Sequence, residues 1–233
     1  IQYSPVERVS LKAGVRGAYN TRYGTPVIPS FNLKVDISKV VSLRASYAQG
    51  FRAPSLKELG MFFVDVNHNI QGNNQLKAER SHNAQVELVY QPKLKDFSFA
   101  LRPLFFFNHI YNMISLALVD PGAQLYTYVN IDKFQSTGAN VNATVNHKYF
   151  DFTAGMSYTG RYNSLSETMD VPHFGWSPEF SSSLSINIPK AYLSIAAFYK
   201  FNGAITGYTI GENNSVYQTA IQSYSMLDAS VTA

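Results

Sequence analysis

The chain is 233 residues long, with 45% apolar, 14% aromatic and only 15% charged side chains. That is too little charge for an ordinary soluble domain, in which about a quarter of residues are charged. No stretch of roughly 18 apolar residues occurs, which excludes a transmembrane helix but not a barrel, whose strands cross a bilayer with ~9–11 residues.

Cysteine is absent, so disulfides, thiolate metal sites and cysteine nucleophiles are ruled out. A net charge of +4 with no basic stripe gives nucleic acid no footing. The chain opens on Ile1, without an initiator methionine or a signal peptide, and is expected to be an internal piece of a longer protein.

Alternation with a period of two dominates from the start. Leu11, Ala13, Val15 and Gly17 share one face against Ser10, Lys12, Gly14 and Arg16. Val41, Leu43, Ala45 and Tyr47 stand against Ser42, Arg44 and Ser46, and Ala84, Val86, Leu88 and Tyr90 against Gln85 and Glu87. The clearest run sets Thr137, Ala139, Val141, Ala143 and Val145 against Asn140, Asn142 and Asn146. Phe152, Ala154, Met156 and Tyr158 follow, then Phe180, Leu184 and Ile186, and last Leu193, Ile195 and Ala197. The polar faces are Ser, Thr, Asn and Gln, as in a watery lumen rather than on the outside of a soluble sandwich.

Short connections at 38–40, 92–96, 147–150 and 189–190 alternate with longer segments at 21–29, 52–81, 113–124, 163–177 and 202–216. Short and long turns alternate in this way in up-and-down outer-membrane barrels, with the long ones extracellular. Phe97 and Phe99 lie roughly ten residues from Phe105 and Phe107, a spacing predicted to bring the two groups to opposite ends of one strand, at the two aromatic girdles. The fold class predicted is all-β: a transmembrane antiparallel β-barrel, present as a partial barrel of about ten up-and-down strands. An open edge leaves backbone groups that lipid cannot satisfy, so closing strands are expected elsewhere in the protein.

The longest interruption, residues 50–79, is too apolar for disorder, with Phe51, Met61, Phe62, Phe63, Val64 and Ile70. It begins Gly50-Phe51-Arg52-Ala53-Pro54 and ends Gly72-Asn73-Asn74-Gln75-Leu76-Lys77-Ala78-Glu79. The first segment resembles the strand-to-loop signature of TonB-dependent outer-membrane receptors. The second is similar to that family's Asn-Pro-Asp-Leu-type box, departing from it at Asn74 and Gln75. Asn112-Met113-Ile114, Tyr128-Val129-Asn130-Ile131 and Tyr224-Ser225-Met226-Leu227-Asp228-Ala229-Ser230 are weaker matches to the same barrel.

The resemblance implies one barrel domain over residues 1–233, lacking the plug, the TonB-contacting segment and the closing strands. It also implies energy-coupled import of a scarce nutrient across a Gram-negative outer membrane. Haem or an iron chelate ranks first as cargo, and cobalamin next. The implied partners are the TonB complex, the lipid bilayer, the small-molecule nutrient and a surface lipoprotein. No resident cofactor is implied, haem being a transported ligand.

Arg52 is expected to pair with Glu58 or Glu79, and Pro54 to end the strand. His68 sits between the two boxes, where some haem receptors of the family carry a histidine, and is the candidate ligand for haem iron. Phe62, Phe63, Tyr126, Tyr128 and Trp176 are candidates for an apolar platform under a flat ligand. The alternative for each aromatic is loop packing or the headgroup belt.

No catalytic motif occurs, and the protein is expected not to be an enzyme. A passive porin-like channel remains the alternative function. A barrel enzyme would have to rest on Asp65, His68 or Glu79.

Overall fold

The computed structural model describes residues 2–24, 26–92, 94–120, 122–169, 171–210 and 216–233. Its strands are β1 (Gln2–Val6), β2 (Val9–Arg16), β3 (Ile28–Asp36), β4 (Val41–Arg52), β5 (Phe62–Val64), β6 (Asn69–Gln71), β7 (Glu79–Tyr90) and β8 (Phe97–Asp120). They continue as β9 (Leu125–His147), β10 (Phe150–Asn163), β11 (Gly175–Ile188), β12 (Leu193–Asn202), β13 (Ile205–Ile210), β14 (Val216–Ile221) and β15 (Tyr224–Thr232). The one α-helical turn among the described residues, α1 (Leu56–Gly60), lies between β4 and β5.

One sheet holds the chain together, in the order β1-β2-β3-β4-β7-β8-β9-β10-β11-β12-β15. Every step in it is antiparallel and joins neighbours in sequence, with hairpin inserts set aside. β13 and β14 form their own hairpin between β12 and β15. Among the described residues β1 and β15 do not pair, so the wall is an open arc of a barrel.

The register sorts the side chains into two faces. Leu43, Leu88, Val86, Phe105, Ala139, Val141, Met156 and Phe180 fall on one, linked strand to strand through the pairs Leu43–Leu88, Val86–Phe105, Phe105–Ala139, Val141–Met156 and Met156–Phe180. This face has nothing packed on it: Phe105 is 62% and Met156 59% exposed. A sheet with one bare apolar face and no second layer cannot rest in water; that face meets lipid. The other face carries Ser46, Gln85, Arg102, Asn142 and Ser181. It also carries the Arg44–Glu87 pair, 3.8 Å apart.

Two of the long segments, 113–124 and 202–216, hold strand where the sequence pattern predicts loop. β8 and β9 stay paired as far as Asp120 and Leu125, so residues 113–120 are strand. Asn112 has a positive φ of 51°, a conformation asparagine tolerates better than most residues, and the register runs through it unbroken. Because β8 is 24 residues long, Phe105 and Phe107 lie in its middle and not at its end. Residues 202–216 likewise contain β13 and the first residue of β14.

Candidate functional site

The segment between β4 and β7 is the most highly organised part of the rim. Pro54 is buried and holds the chain extended into Ser55. Ser55 then caps α1: its hydroxyl accepts from Glu58 N–H at 3.2 Å, and the Glu58 carboxylate accepts from Ser55 N–H at 2.7 Å. This reciprocal box lets a five-residue helix persist where nucleation alone would fail.

Arg52, at the end of β4, spans the base. Its Nε and Nη2 donate to the two oxygens of Glu79, both at 2.8 Å, and its Nη1 donates to both oxygens of Glu58 at 2.9 Å. Both expected partners are therefore engaged at once. Burial would lift the Glu58 carboxyl, but donation from Ser55 N–H, from Arg52 and from the Ser55 hydroxyl outweighs it. Glu58 sits below its ordinary value. Glu79 also accepts from Ile114 N–H at 2.6 Å, which ties β4 and β7 to β8.

The second box docks onto this base. Gly72 donates to the Met61 carbonyl at 2.7 Å. A Cβ at Gly72 would stand 2.7 Å from backbone atoms of Leu59, Gly60 and Met61, so only glycine allows the two chains to approach this closely. Asn73 donates through its side chain to the Tyr128 carbonyl at 2.8 Å, while its backbone N–H reaches the Glu58 carbonyl at 2.9 Å.

Asn130 accepts from Lys77 N–H at 2.8 Å and donates to the Lys77 and Asn112 carbonyls at 3.1 and 2.8 Å. Leu76 is 3% exposed, one of few buried apolar side chains among the described residues. Four of the stretches that resemble the receptor family thus meet in one hydrogen-bonded knot; the fifth, residues 224–230, lies apart in β15, paired with β12. Asn130 shares one row of β9 with Asn140 and Asn142.

Beyond the knot the chain rises as the β5–β6 hairpin. β6 adds parallel to β9, Ile70 opposite Tyr126, along the edge that β10 does not reach. At the tip, Asp65 Oδ1 accepts from the backbone N–H of Asn67 and of His68, both at 2.7 Å. The Asp65 carboxylate faces His68 Nδ1 at 3.0 and 3.1 Å. Asn67 N–H, with smaller help from His68, holds Asp65 below its ordinary value, so it is an acceptor at neutral pH. Nδ1 must then carry the proton, and in the neutral ring Nε2 keeps its lone pair for a ligand.

The Phe63 ring lies 4.9 Å from the imidazole. Phe62 is 78% and Val66 99% exposed at the same tip. Phe63 and His68 therefore stand together, and the β6–β9 pairing sets Tyr126 in the same row as Phe63, across Ile70; Phe62, one residue earlier and opposite Gln71, falls on the other face of the hairpin. Tyr128 enters through its carbonyl. Trp176 stands elsewhere, on the lipid-facing row of β11, stacked on Tyr158 at 4.8 Å and lying over Gly160. Asp65 was the residue to find from sequence, since an Asp three places before a His is an Asx-turn spacing that also presents the imidazole.

Across its full length the chain matches the family model described as "TonB dependent receptor-like, beta-barrel", residues 1–233. The chain belongs to that family. Receptors of this kind reside in the outer membrane of Gram-negative bacteria, work with TonB and bind small-molecule ligands; they are transporters. No helix among the described residues is long and apolar enough to cross a membrane, a fact that does not bear on crossing by strands.

In sequence the chain is similar to the hemoglobin and hemoglobin-haptoglobin-binding protein of Haemophilus ducreyi, 33% identical over 126 residues. That match covers 49% of this chain and 13% of the relative. In fold the chain is similar to the ferric enterobactin receptor PfeA of Pseudomonas aeruginosa, with TM-score 0.71, 19% identity, and coverage of 99% of this chain and 36% of that one. It is also similar to the siderophore receptor PirA of the same organism, with TM-score 0.66, 17% identity, and coverage of 94% and 37%. The chain thus spans little more than a third of each of these solved receptors.

Proposed function

We propose that this barrel wall belongs to a TonB-dependent importer of iron in a chelated form, haem ahead of a siderophore and cobalamin behind both. The β5–β6 and β8–β9 hairpins are the extracellular capture surface. A plug elsewhere in the protein closes the lumen until TonB moves it.

The observation that carries the reading is the hairpin tip. There a histidine has Nδ1 tied to a carboxylate and Nε2 unclaimed, with the Phe63 ring at stacking distance and a bare Val66 two residues before it. Imidazole so oriented is an iron ligand, and Phe63 with Tyr126, which share one row across Ile70, offer aromatic cover to a porphyrin face. The hemoglobin-binding relative supports an iron-porphyrin source. His68 is assigned as axial ligand, with Phe63 and Tyr126 as the apolar platform.

Titrating the full-length receptor with haemin tests this. His68→Ala should remove the Soret shift of the bound form and weaken binding about tenfold or more, and uptake should cease without TonB. An unchanged Soret band and affinity in His68→Ala remove haem ligation at this tip.

A further inference from the structure

A second site is formed at the same rim, above the lipid-facing row of the wall. The lipid-facing row of β7 runs Tyr90, Leu88, Val86, Ala84 and then changes character to His82 and Arg80. From Tyr90 to Arg80 is ten positions. At about 3.3 Å per residue and a tilt near 40°, that is a rise of roughly 25 Å, the height of the apolar band. Arg80 therefore stands where hydrocarbon gives way to headgroups.

Around it opens a groove of about 720 Å³, lined by Arg22, Lys77, Arg80, His82, Tyr23 and Tyr111 among others. None of its lining residues is a carboxylate. Among the described residues Arg22, Lys77 and Arg80 make no ion pair; Arg22 donates to the Asn74 carbonyl and lies over the Tyr23 ring. Lys133 sits opposite Tyr111 on the next strand, and His109 opposite His82. Two buried polar atoms here lack partners, Tyr23 Oη in the groove and His109 Nε2 beside it.

Uncompensated cations and donors without acceptors, set just above a lipid-facing belt, call for an anion with several acceptor oxygens. We propose that this groove binds the phosphate of a phosphorylated glycolipid of the outer leaflet, with Lys77, Arg80 and Arg22 on the phosphate oxygens and the acyl chains along Val86, Leu88 and Phe105. A lipid rather than a free phosphate is favoured because the cationic row continues directly into the bare apolar one. Only a ligand with both a charged head and a tail covers the two. The inference rests on the orientation proposed above, with the hairpins extracellular.

The test uses the full-length receptor in detergent, read by native mass spectrometry with a bisphosphorylated outer-leaflet glycolipid, its dephosphorylated form, and inorganic pyrophosphate as competitor. The wild type retains the bisphosphorylated lipid. Lys77→Gln/Arg80→Gln weakens retention roughly fivefold per cation, about 25-fold for the pair, while haemin affinity in the same preparation is unchanged. Equal retention by the variant, equal retention of the dephosphorylated lipid, or displacement by pyrophosphate at matched concentration each overturns the proposal.

Orientation is read separately. The sequence has no cysteine, so Val66→Cys gives a single label site in this region, at the most exposed tip. Exclusion of an impermeant thiol reagent from that site in intact cells overturns the leaflet assignment. Labelling there combined with no lipid discrimination overturns the groove alone.

Discussion

Replacing Arg52 by methionine, which keeps most of its length and removes the guanidinium, should loosen the knot without touching the barrel below it. The structure fixes the size of the effect. Arg52 makes paired charge-assisted hydrogen bonds to two carboxylates, and one such interaction per carboxylate, about 1.5–3 kcal/mol when sheltered, sums to about 3–6 kcal/mol. The carboxylates are sheltered, at 14% and 17% exposed, but Arg52 itself is 45% exposed and partly screened by water.

Halving the sum for that screening leaves about 2 kcal/mol, equivalent to roughly a 30-fold rise in the population of the open loop. The two glutamates keep some support, from Ser55 for Glu58 and from Ile114 N–H for Glu79, so the loss should not reach the value for an abandoned buried charge. Amide hydrogen exchange across residues 55–78 in the full-length receptor reads the opening directly. Arg52→Lys should recover only part of the protection, because a point charge cannot engage both oxygens of Glu79 and reach Glu58 as well. If exchange in Arg52→Met rises less than about threefold, the guanidinium does not hold the loop and the reasoning fails.

Three further outcomes follow from neighbouring contacts. Gly72→Ala places a Cβ 2.7 Å from three backbone atoms, none of which can rotate away, so the hairpin must shift. A cost of about 1–3 kcal/mol is expected, seen as faster exchange at Gly72 and Asn73, and wild-type protection would show that the two boxes do not touch. Glu58 has its carboxyl held below its ordinary value of 4.5, so its contribution is full above that pH and is lost as the pH falls through the depressed value. Limited proteolysis between Ser55 and Asn73 should therefore be slow at neutral pH and accelerate in acid below that range; a flat profile contradicts this. Trp176 is placed on the lipid-facing row beside Tyr158, so brominated acyl chains should quench the emission that Trp176→Phe removes. Emission untouched by bromine would put that side chain in the lumen.

The wall was legible in the sequence because its signal is local. Alternation along each strand needs no knowledge of the partner, and Leu43, Val86, Phe105 and Met156 fall on one face whichever strands they join. The pairing of Arg52 with Glu58 and Glu79 was legible for a related reason: one guanidinium at a strand end had few other carboxylates within reach. The extension of β8 and β9 was not. Asn112 reads as a turn residue, and only the cross-strand ladder from Tyr111–Lys133 to Met113–Ile131 shows that it interrupts nothing. The parallel docking of β6 on β9 was hidden altogether, since it joins residues 55 or more apart through backbone groups that no side-chain pattern records. Tyr128 illustrates the limit: it was singled out for its ring, and its carbonyl is what receives Asn73.

That knot bears on how a ligand at the tip would be felt below. The β5–β6 hairpin is held at one end by α1 and Gly72, along its side by β9, and at its base by Arg52, Glu79 and Asn130. It cannot tilt as a free loop does. Any displacement of the tip must either break several of these bonds together, which is costly, or carry the ends of β4, β7, β8 and β9 with it. A two-residue turn in the same place would offer no such coupling. The sequence devotes a capping box, an obligatory glycine and the side chains of Asn73 and Asn130 to holding this one segment, so rigidity at the rim, rather than floppy reach, is the property the fold secures.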